Sequence, residues 1–384
     1  MKPLVSFLAM LGVCLSVGFG QPGSIRVTVE NPGKFVREHE TVEIPLRWLT
    51  IIPGAGKARY FLVRESRSKA QLVTQVTDEE LLFQSDFAPG ERKEFIVTQS
   101  VAGDSTIPSL VDGRFVPPRE DYAWENDRIA FRMYGPALAA EVNNGIDVWT
   151  KRVRSLIVAK WYKESESAPP GKDTYHQDRG EGADFFEVGR SLGAGGSGIW
   201  HNGKVHQPGV FTSYKTLCNG PIRVSFELTY KGWNVDGRTL VEHKRISLDA
   251  GQFLNRIDVR FEGQNGSEPL QIAAGLVKRA NTTLKKNPAE NCMGLWGLTN
   301  ADSANGSLGT AIVFVSRGPI RYTEDSTQYL MIGQIRAERP FTYYAGAGWT
   351  RNSDFGTGND WNKYLVSWAR NLRSPLKVSV KATK

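Results

Sequence analysis

Hydrophobic and polar positions alternate with a period of two along much of the chain. Ile25, Val27 and Val29 interleave with Arg26, Thr28 and Glu30. That is the pattern of a strand with one face buried. Thr41–Leu46, Arg59–Val63, Gln71–Val76 and Glu94–Gln99 repeat it between turns rich in Pro, Gly and charge. Strands at this spacing predict an N-terminal β-sandwich-like unit over residues 24–105. Ala102–Glu120, with Pro108, Gly113, Pro117 and Pro118, reads as a linker or strap.

Residues 115–384 also read as mostly β. Arg128–Met133, Ser155–Trp161, Ile222–Tyr230, Arg238–Leu248, Phe253–Glu262, Gln271–Lys278, Thr310–Val315, Gln328–Ile335 and Leu376–Lys381 carry strand patterns. Several are long and alternating, as in broad antiparallel sheets with one wetted face. Two stretches predict helix: the short Pro136–Asn144, and Asp360–Arg373, which sets Trp361, Tyr364, Leu365, Trp368 and Leu372 on one face. The segment from Lys163 to Thr216 has little periodicity but many aromatics, and reads as ordered loops lining a site.

Composition narrows the class. The 384 residues carry 48 Lys+Arg against 40 Asp+Glu, a charge of +8, and 40% are hydrophobic. That excludes a disordered chain. No basic block marks a nucleic-acid arm, and the spread positive charge suits an acidic glycan. Lys2, the apolar run Leu4–Val17 and Gly18-x-Gly20 resemble a secretory signal over residues 1–20. No other run approaches the ~20 apolar residues of a membrane span. The expected location is periplasmic or secreted. Removing the signal takes Cys14 with it and leaves Cys218 and Cys292, as a disulfide or as separate thiols. The sequons at Asn265, Asn281 and Asn305 indicate surface loops.

Three groups carry candidate chemistry. In the first, Trp124 with Glu125, Asp127, Arg128 and Arg132 has the parts to stack a sugar ring and bond its hydroxyls or carboxylate. It is equally a salt-bridge corner at a domain junction. In the second, Thr174–Asp184 holds Tyr175, His176, Asp178, Arg179, Glu181 and Asp184 in one turn-rich loop. His176 suits a general base, Tyr175 a proton donor, and the carboxylates an orienting group or a hard cation such as calcium. No cofactor is required. In the third, Tyr214 precedes a strand whose one face carries Arg223 and Glu227, either a cleft or an ordinary sheet surface. Gly193-x-Gly195-x-x-Gly198 matches dinucleotide-loop spacing but leads to Trp200-His201-Asn202-Gly203 rather than a helix, so it reads as a glycine-rich loop. Asn202-Gly203 is a tight turn. His201 and His206 flank it, more simply as independent surface residues than as metal ligands.

Several runs together resemble the DUF4861 family of exported bacterial proteins. They are Arg114–Arg119, the Trp124-Glu125-Asn126-Asp127-Arg128 to Tyr134-Gly135-Pro136 stretch, Gly145–Trp149, Tyr175-His176, Gly180–Asp184 and Gly346–Trp349. The resemblance covers nearly the whole chain after the signal. It implies a galactose-mutarotase-like β-supersandwich over residues 115–384 and carbohydrate chemistry on pectin-like glycans. It supplies no catalytic set.

The expected protein is therefore all-β and carbohydrate-active, its partner a poly- or oligosaccharide that contains uronate. β-Elimination is the preferred chemistry, by a lyase with Tyr175, His176 and Tyr214 as acid or base. Arg179 or Arg128 is the cation in this reading, and Trp124, Asp127, Arg132, Trp200 and Arg223 bind the substrate. A hydrolase pairing Asp184 with Glu125 or Asp127 is the second chemistry. A non-catalytic glycan-binding protein and a mutarotase or epimerase of free sugars are the alternatives from other classes.

Overall fold

A computed structural model describes residues 23–52, 60–103, 107–117, 119–169, 172, 174–263, 270–316, 318–335 and 340–383. The expected signal segment, Cys14 and Asn265 lie outside these residues, as does Pro118.

The N-terminal unit is a sandwich of two antiparallel sheets. One runs in the order Lys377–Ala382, Ser24–Glu30, Arg92–Ser100, Tyr60–Glu65, Gln71–Leu72, and the other Arg37–Pro45, Glu80–Phe87, Thr74–Val76. The alternating Ile25, Val27 and Val29 pack with Ile44, Phe83 and Phe95 in its core. The C-terminal strand, expected in the larger unit, instead pairs with the first strand from Ile25↔Ala382 to Glu30↔Lys377. It covers an edge whose backbone groups would otherwise lack partners. The helix Gly358–Arg373, begun by a capping box between Thr357 and Asp360, carries the chain back to this edge.

The larger unit is built on an eight-stranded antiparallel sheet. Its order is Ser213–Asn219, Arg223–Val235, Arg238–Asp249, Leu254–Glu262, Phe341–Trp349, Ser307–Phe314, Cys292–Leu298, Thr282–Asn287. Two five-stranded sheets face it. One orders Gly182–Asp184, Asp147–Lys151, Ile129–Met133, Asp121–Asn126 and Val111–Val116; the other Lys204–His206, Ala194–His201, Leu270–Val277, Gln328–Ile335 and Arg321–Glu324. Phe131, Phe226, Ile246, Ile257, Ile272 and Met331 fill the space between. Trp361, Leu365 and Ala369 of the last helix pack on the outer face of the eight-stranded sheet. Among the described residues no helix is long and apolar enough to cross a membrane.

Several elements differ from the sequence expectation. Ser155–Trp161 is not a strand; a helix spans Val158–Ser167 and buries Val158, Trp161 and Tyr162, at i, i+3 and i+4. A short apolar run fits both periods, and tertiary packing decides. Pro136–Asn144 keeps only a single turn at Pro136–Leu138. The glycine-rich motif leads into and along the strand Ala194–His201, closed by the Asn202-Gly203 turn with φ of 50° and 79°. Cys218 and Cys292 are separate thiols. They lie on the first and seventh strands of the eight-stranded sheet, about 29 Å apart at ~4.8 Å per strand.

Candidate functional site

The first five-stranded sheet has one face in the core and one outside it. Strand register aligns Ala123, Arg132 and Asp147 in one row, and Glu125, Ala130, Trp149 and Asp184 in the next. The period of two therefore brings Asp121, Arg132, Asp147, Trp149 and Asp184 to the same outer face. The helix Val158–Ser167 and the segment bearing Tyr175 cover that face. Gly182 permits the approach of the last strand: with φ at +114°, a Cβ there would lie 2.0 Å from the Thr150 carbonyl oxygen.

Arg132 is the hub. Its guanidinium lies 2.7 Å from Asp147, 2.9 Å from Asp184 and 3.8 Å from Asp121. It donates to the Tyr134 hydroxyl at 3.2 Å and sits 4.9 Å from the Trp149 ring centroid. The other face of the cluster is aromatic: Tyr175 stacks on Trp149 at 4.7 Å, and the Tyr162 hydroxyl donates to Asp121 at 3.0 Å. His176 Nε2 lies 3.5 Å from Asp184 Oδ2; the imidazole is 56% exposed and the carboxylate only 4%. The cluster thus opens to solvent through one side chain.

Three buried carboxyl groups share one guanidinium, and burial resists ionisation of Asp184 and Asp121. Desolvation pushes the Asp184 carboxyl well above the usual range, and the Asp147 charge adds to it against the pull of Arg132. Asp121 is raised by burial to about 6, with Arg132 and the Tyr162 hydroxyl opposing. Burial likewise raises the phenols of Tyr134, Tyr162 and Tyr175. Shifted carboxyls of this kind keep protons to higher pH than exposed ones do. Its rim is basic. Arg119 lies 5.7 Å from the Tyr175 ring centroid, Arg152 and Arg351 each lie 3.2 Å from Asp178, and Arg179 is exposed beside them.

Of the residues expected from sequence, Tyr175, His176, Asp184 and Arg132 come together here. Glu125 does not reach the site. Its carboxylate accepts from the amides of Ile157 and Val158 at 2.8–3.0 Å and from Lys151 Nζ at 2.5 Å, so it caps the helix from a buried position. Trp124 faces the core instead, its indole buried and donating to Asn255 at 2.7 Å, and offers no surface to a sugar. Asp127 accepts from the Gly251 amide at 2.6 Å and pairs with Arg128, which in turn holds Asp354 at 2.6 Å. This is the junction corner rather than a cleft. Arg223 is committed to Asp249 at 2.6 Å and Glu43 at 2.7 Å, tying the two units together.

Tyr214 lies on an edge strand of the eight-stranded sheet, stacked on Phe115 at 4.5 Å. Trp200 belongs to the other five-stranded sheet, with the Arg321 guanidinium 5.0 Å from its ring centroid. His201 pairs with Asp236 at 3.0 Å. Among the described residues no group of three or more His, Cys, Asp or Glu is placed to hold a metal ion. Sequence reasoning missed Asp121, Asp147, Tyr134 and Tyr162. The sequence carried no clear signal for Asp147, whose burial in the strand Asp147–Lys151 and register with Arg132 are set by strand pairing.

A β-sandwich followed by a larger three-sheet β unit, with a buried proton-holding cluster on one outer face, defines an all-β protein of two packed units. The chain belongs to the DUF4861 family, described as a domain of unknown function, whose profile matches residues 29–378. It is 32% identical over 380 residues to "Uncharacterized protein P7" of Formosa agariphila, covering 92% of this chain and 93% of that one. Its fold is similar to the crystal structure of a protein in the glycosyl hydrolase family 38 from Enterococcus faecalis, with a TM-score of 0.50 and 10% identity. That match covers 95% of this chain and 48% of the other, so this chain spans about half the length of that structure.

Proposed function

We propose that the protein is an exported carbohydrate-active enzyme that cleaves a uronate-containing glycan by β-elimination. The observation that carries this reading is the exposed His176 imidazole backed at 3.5 Å by the buried Asp184 carboxyl. In this reaction the His176 imidazole takes the proton at C5 of the uronate on Nδ1, while Nε2 faces Asp184. The C4–O bond breaks, a C4=C5 double bond forms, and the leaving oxygen receives a proton. Solvent supplies that proton, and Tyr175, buried against Trp149, packs beside the imidazole with 4.7 Å between ring centroids. Asp184 orients the imidazole. Arg179, exposed three residues after His176, neutralises the substrate carboxylate and so makes C5–H more acidic. Tyr214 is left out of this reading, because it packs on Phe115 and Tyr122, on the face of the sheet opposite Arg132.

Elimination is favoured over hydrolysis by the state of the other carboxylates. Hydrolysis needs two carboxyl groups flanking one bond. Glu125 is held by two amides and a lysine, and Asp127 by an amide and Arg128.

The test is incubation of purified mature protein with pectic, glucuronan, alginate and neutral glycans and their oligosaccharides. Ultraviolet absorbance, reducing ends and product masses are followed together. Unsaturated products, lost in His176→Ala, are the expected result. Saturated products that have gained water overturn elimination in favour of a hydrolase. A shift in anomeric ratio without cleavage overturns it in favour of a mutarotase. Binding without turnover across the panel overturns it in favour of a glycan-binding protein.

A further inference from the structure

A pocket of about 270 Å³ lies between the tips of two hairpins of the larger unit. Both tips are two-residue turns of the same kind. Asn202-Gly203 closes Ala194–His201 onto Lys204–His206, with φ of 50° and 79°. Asp236-Gly237 closes Arg223–Val235 onto Arg238–Asp249, with φ of 51° and 80°. Positive φ at both central residues gives the tight turn whose twist matches its strands, so each tip is short and well placed. His201 on one tip pairs with Asp236 on the other at 3.0 Å, joining a five-stranded sheet to the eight-stranded one. This is not the sheet beside His176, which carries Asp184.

The charges select an anion. Arg238 and Arg321 both line the pocket. The Arg321 guanidinium lies 5.0 Å from the Trp200 ring centroid and 3.5 Å from the Gln271 amide oxygen. It covers the indole, so Trp200 aims a cation rather than offering an open platform. Arg238 follows the second turn directly and is half-buried. Among the described residues neither arginine pairs with a carboxylate. The carboxylate that lines the pocket, Asp236, is held by His201. The cavity between the two units differs: there Arg37 pairs with Glu40, Arg223 with Asp249 and Glu43, and Arg256 with Asp258. Two unbalanced guanidiniums in one pocket repel, and an anion between them relieves this. Their planar forks match a carboxylate.

The remaining lining suits a sugar. The amides of Asn202 and Gln271 carry donors and acceptors for hydroxyls. Val235 and Leu270 supply buried apolar lining for ring C–H groups. The volume is just below the ~300–1,000 Å³ of small-molecule sites, which fits one unit of a chain.

We infer that this pocket is a second, non-catalytic site that binds one uronate unit of an acidic glycan. The carboxylate sits between Arg238 and Arg321, and the hydroxyls meet Asn202 and Gln271. The anion follows from the two guanidiniums; the choice of a sugar acid rests on the acidic-glycan reading above, and neither rests on elimination. Such a site holds the polymer to the protein without acting on it.

The test uses the full mature chain carrying His176→Ala, so that no probe is consumed. The probes are digalacturonate, dimannuronate, the neutral methyl esters of both, and inorganic sulfate. Binding is read by calorimetry and from the Trp200 indole N–H resonance, assigned by its loss in Trp200→Phe. At least one diuronate binds in the millimolar range or tighter and shifts that resonance, less so as salt rises. Arg238→Met and Arg321→Met each weaken it about tenfold, the scale of one hydrogen bond to a charged group. The double variant, folded by thermal unfolding, loses the shift. The inference is overturned if neither diuronate shifts the resonance, if the esters bind as the acids do, or if both arginine variants bind as the parent does. Sulfate that binds as tightly as the diuronates overturns the sugar and leaves only a simple anion site. Absence of unsaturated products in the glycan panel removes elimination and leaves this binding standing, whereas unchanged binding in the arginine variants removes this site and leaves elimination standing.

Discussion

Nε2 of His176 and Oδ2 of Asp184 stand 3.5 Å apart, one side chain in solvent and the other buried against Arg132. If the pair acts as base and orienting group, Asp184→Asn keeps the shape and removes the carboxyl. The expected loss is ~10²–10⁴-fold in kcat for double-bond formation, the scale of general-base catalysis. Asp184→Asn combined with His176→Ala should cost little more than either alone, since they act as a unit. Full activity in Asp184→Asn would remove it from the mechanism.

Asp121 gives a pH signature in stability. Its native carboxyl titrates near 6 against an ordinary 3.8, with burial as the main cause. A carboxyl raised in the native state favours folding while protonated. That contribution is complete below about pH 4 and is lost as pH rises through about 6. The difference of about two pKa units corresponds to roughly 3 kcal/mol. Asp121→Asn cannot ionise, so its unfolding free energy relative to wild type should rise by up to that amount from about pH 4 to about pH 8. Urea melts at both pH values measure it; a difference that falls with pH would refute the assignment.

Glu125 should matter to folding and not to chemistry. Removing it in Glu125→Ala leaves the Lys151 ammonium buried and two helix amides without an acceptor. The expected cost is about 3–5 kcal/mol. Activity per folded molecule should be unchanged. A variant that is fully folded but inactive would restore Glu125 to the catalytic set.

Inside the main core, Glu242 and Lys244 are fully buried and pair at 3.2 Å. Burial raises the carboxyl and lowers the ammonium, so both shift toward neutrality. Glu242→Met alone should destabilise by about 3–5 kcal/mol, whereas Glu242→Met with Lys244→Met should recover most of that loss. Unfolding midpoints of the four proteins in the cycle decide it. Equal losses for single and double variants would mean that the pair contributes more than core packing can replace.

The two thiols give a direct chemical check. Denatured protein lacking residues 1–20 should titrate two free thiols without reductant, and reductant should leave the unfolding midpoint where it was. A midpoint that falls on reduction would require a disulfide between Cys218 and Cys292, which the sheet order forbids.

The sequence by itself determined much of the fold. The alternation of Ile25, Val27 and Val29, of Leu240, Ile246 and Leu248, and the apolar stripe from Trp361 to Leu372 each specify which face is buried. Such patterns are local and survive without knowledge of partners. The Tyr175-His176 and Asp184 cluster was also visible, as dense chemistry in an aromatic loop. Tertiary structure decided the rest. Trp124 and Glu125 are neighbours in sequence, yet one faces the core and the other caps a helix, because successive strand residues point to opposite sides. Asp121, Asp147 and Asp184 converge on Arg132 only through the register of four strands, the last two of them reached by long connections. The pairing of Lys377–Ala382 with Ser24–Glu30 joins the two ends of the chain. Local patterning selects the face a side chain takes; only strand pairing and sheet packing select its neighbours.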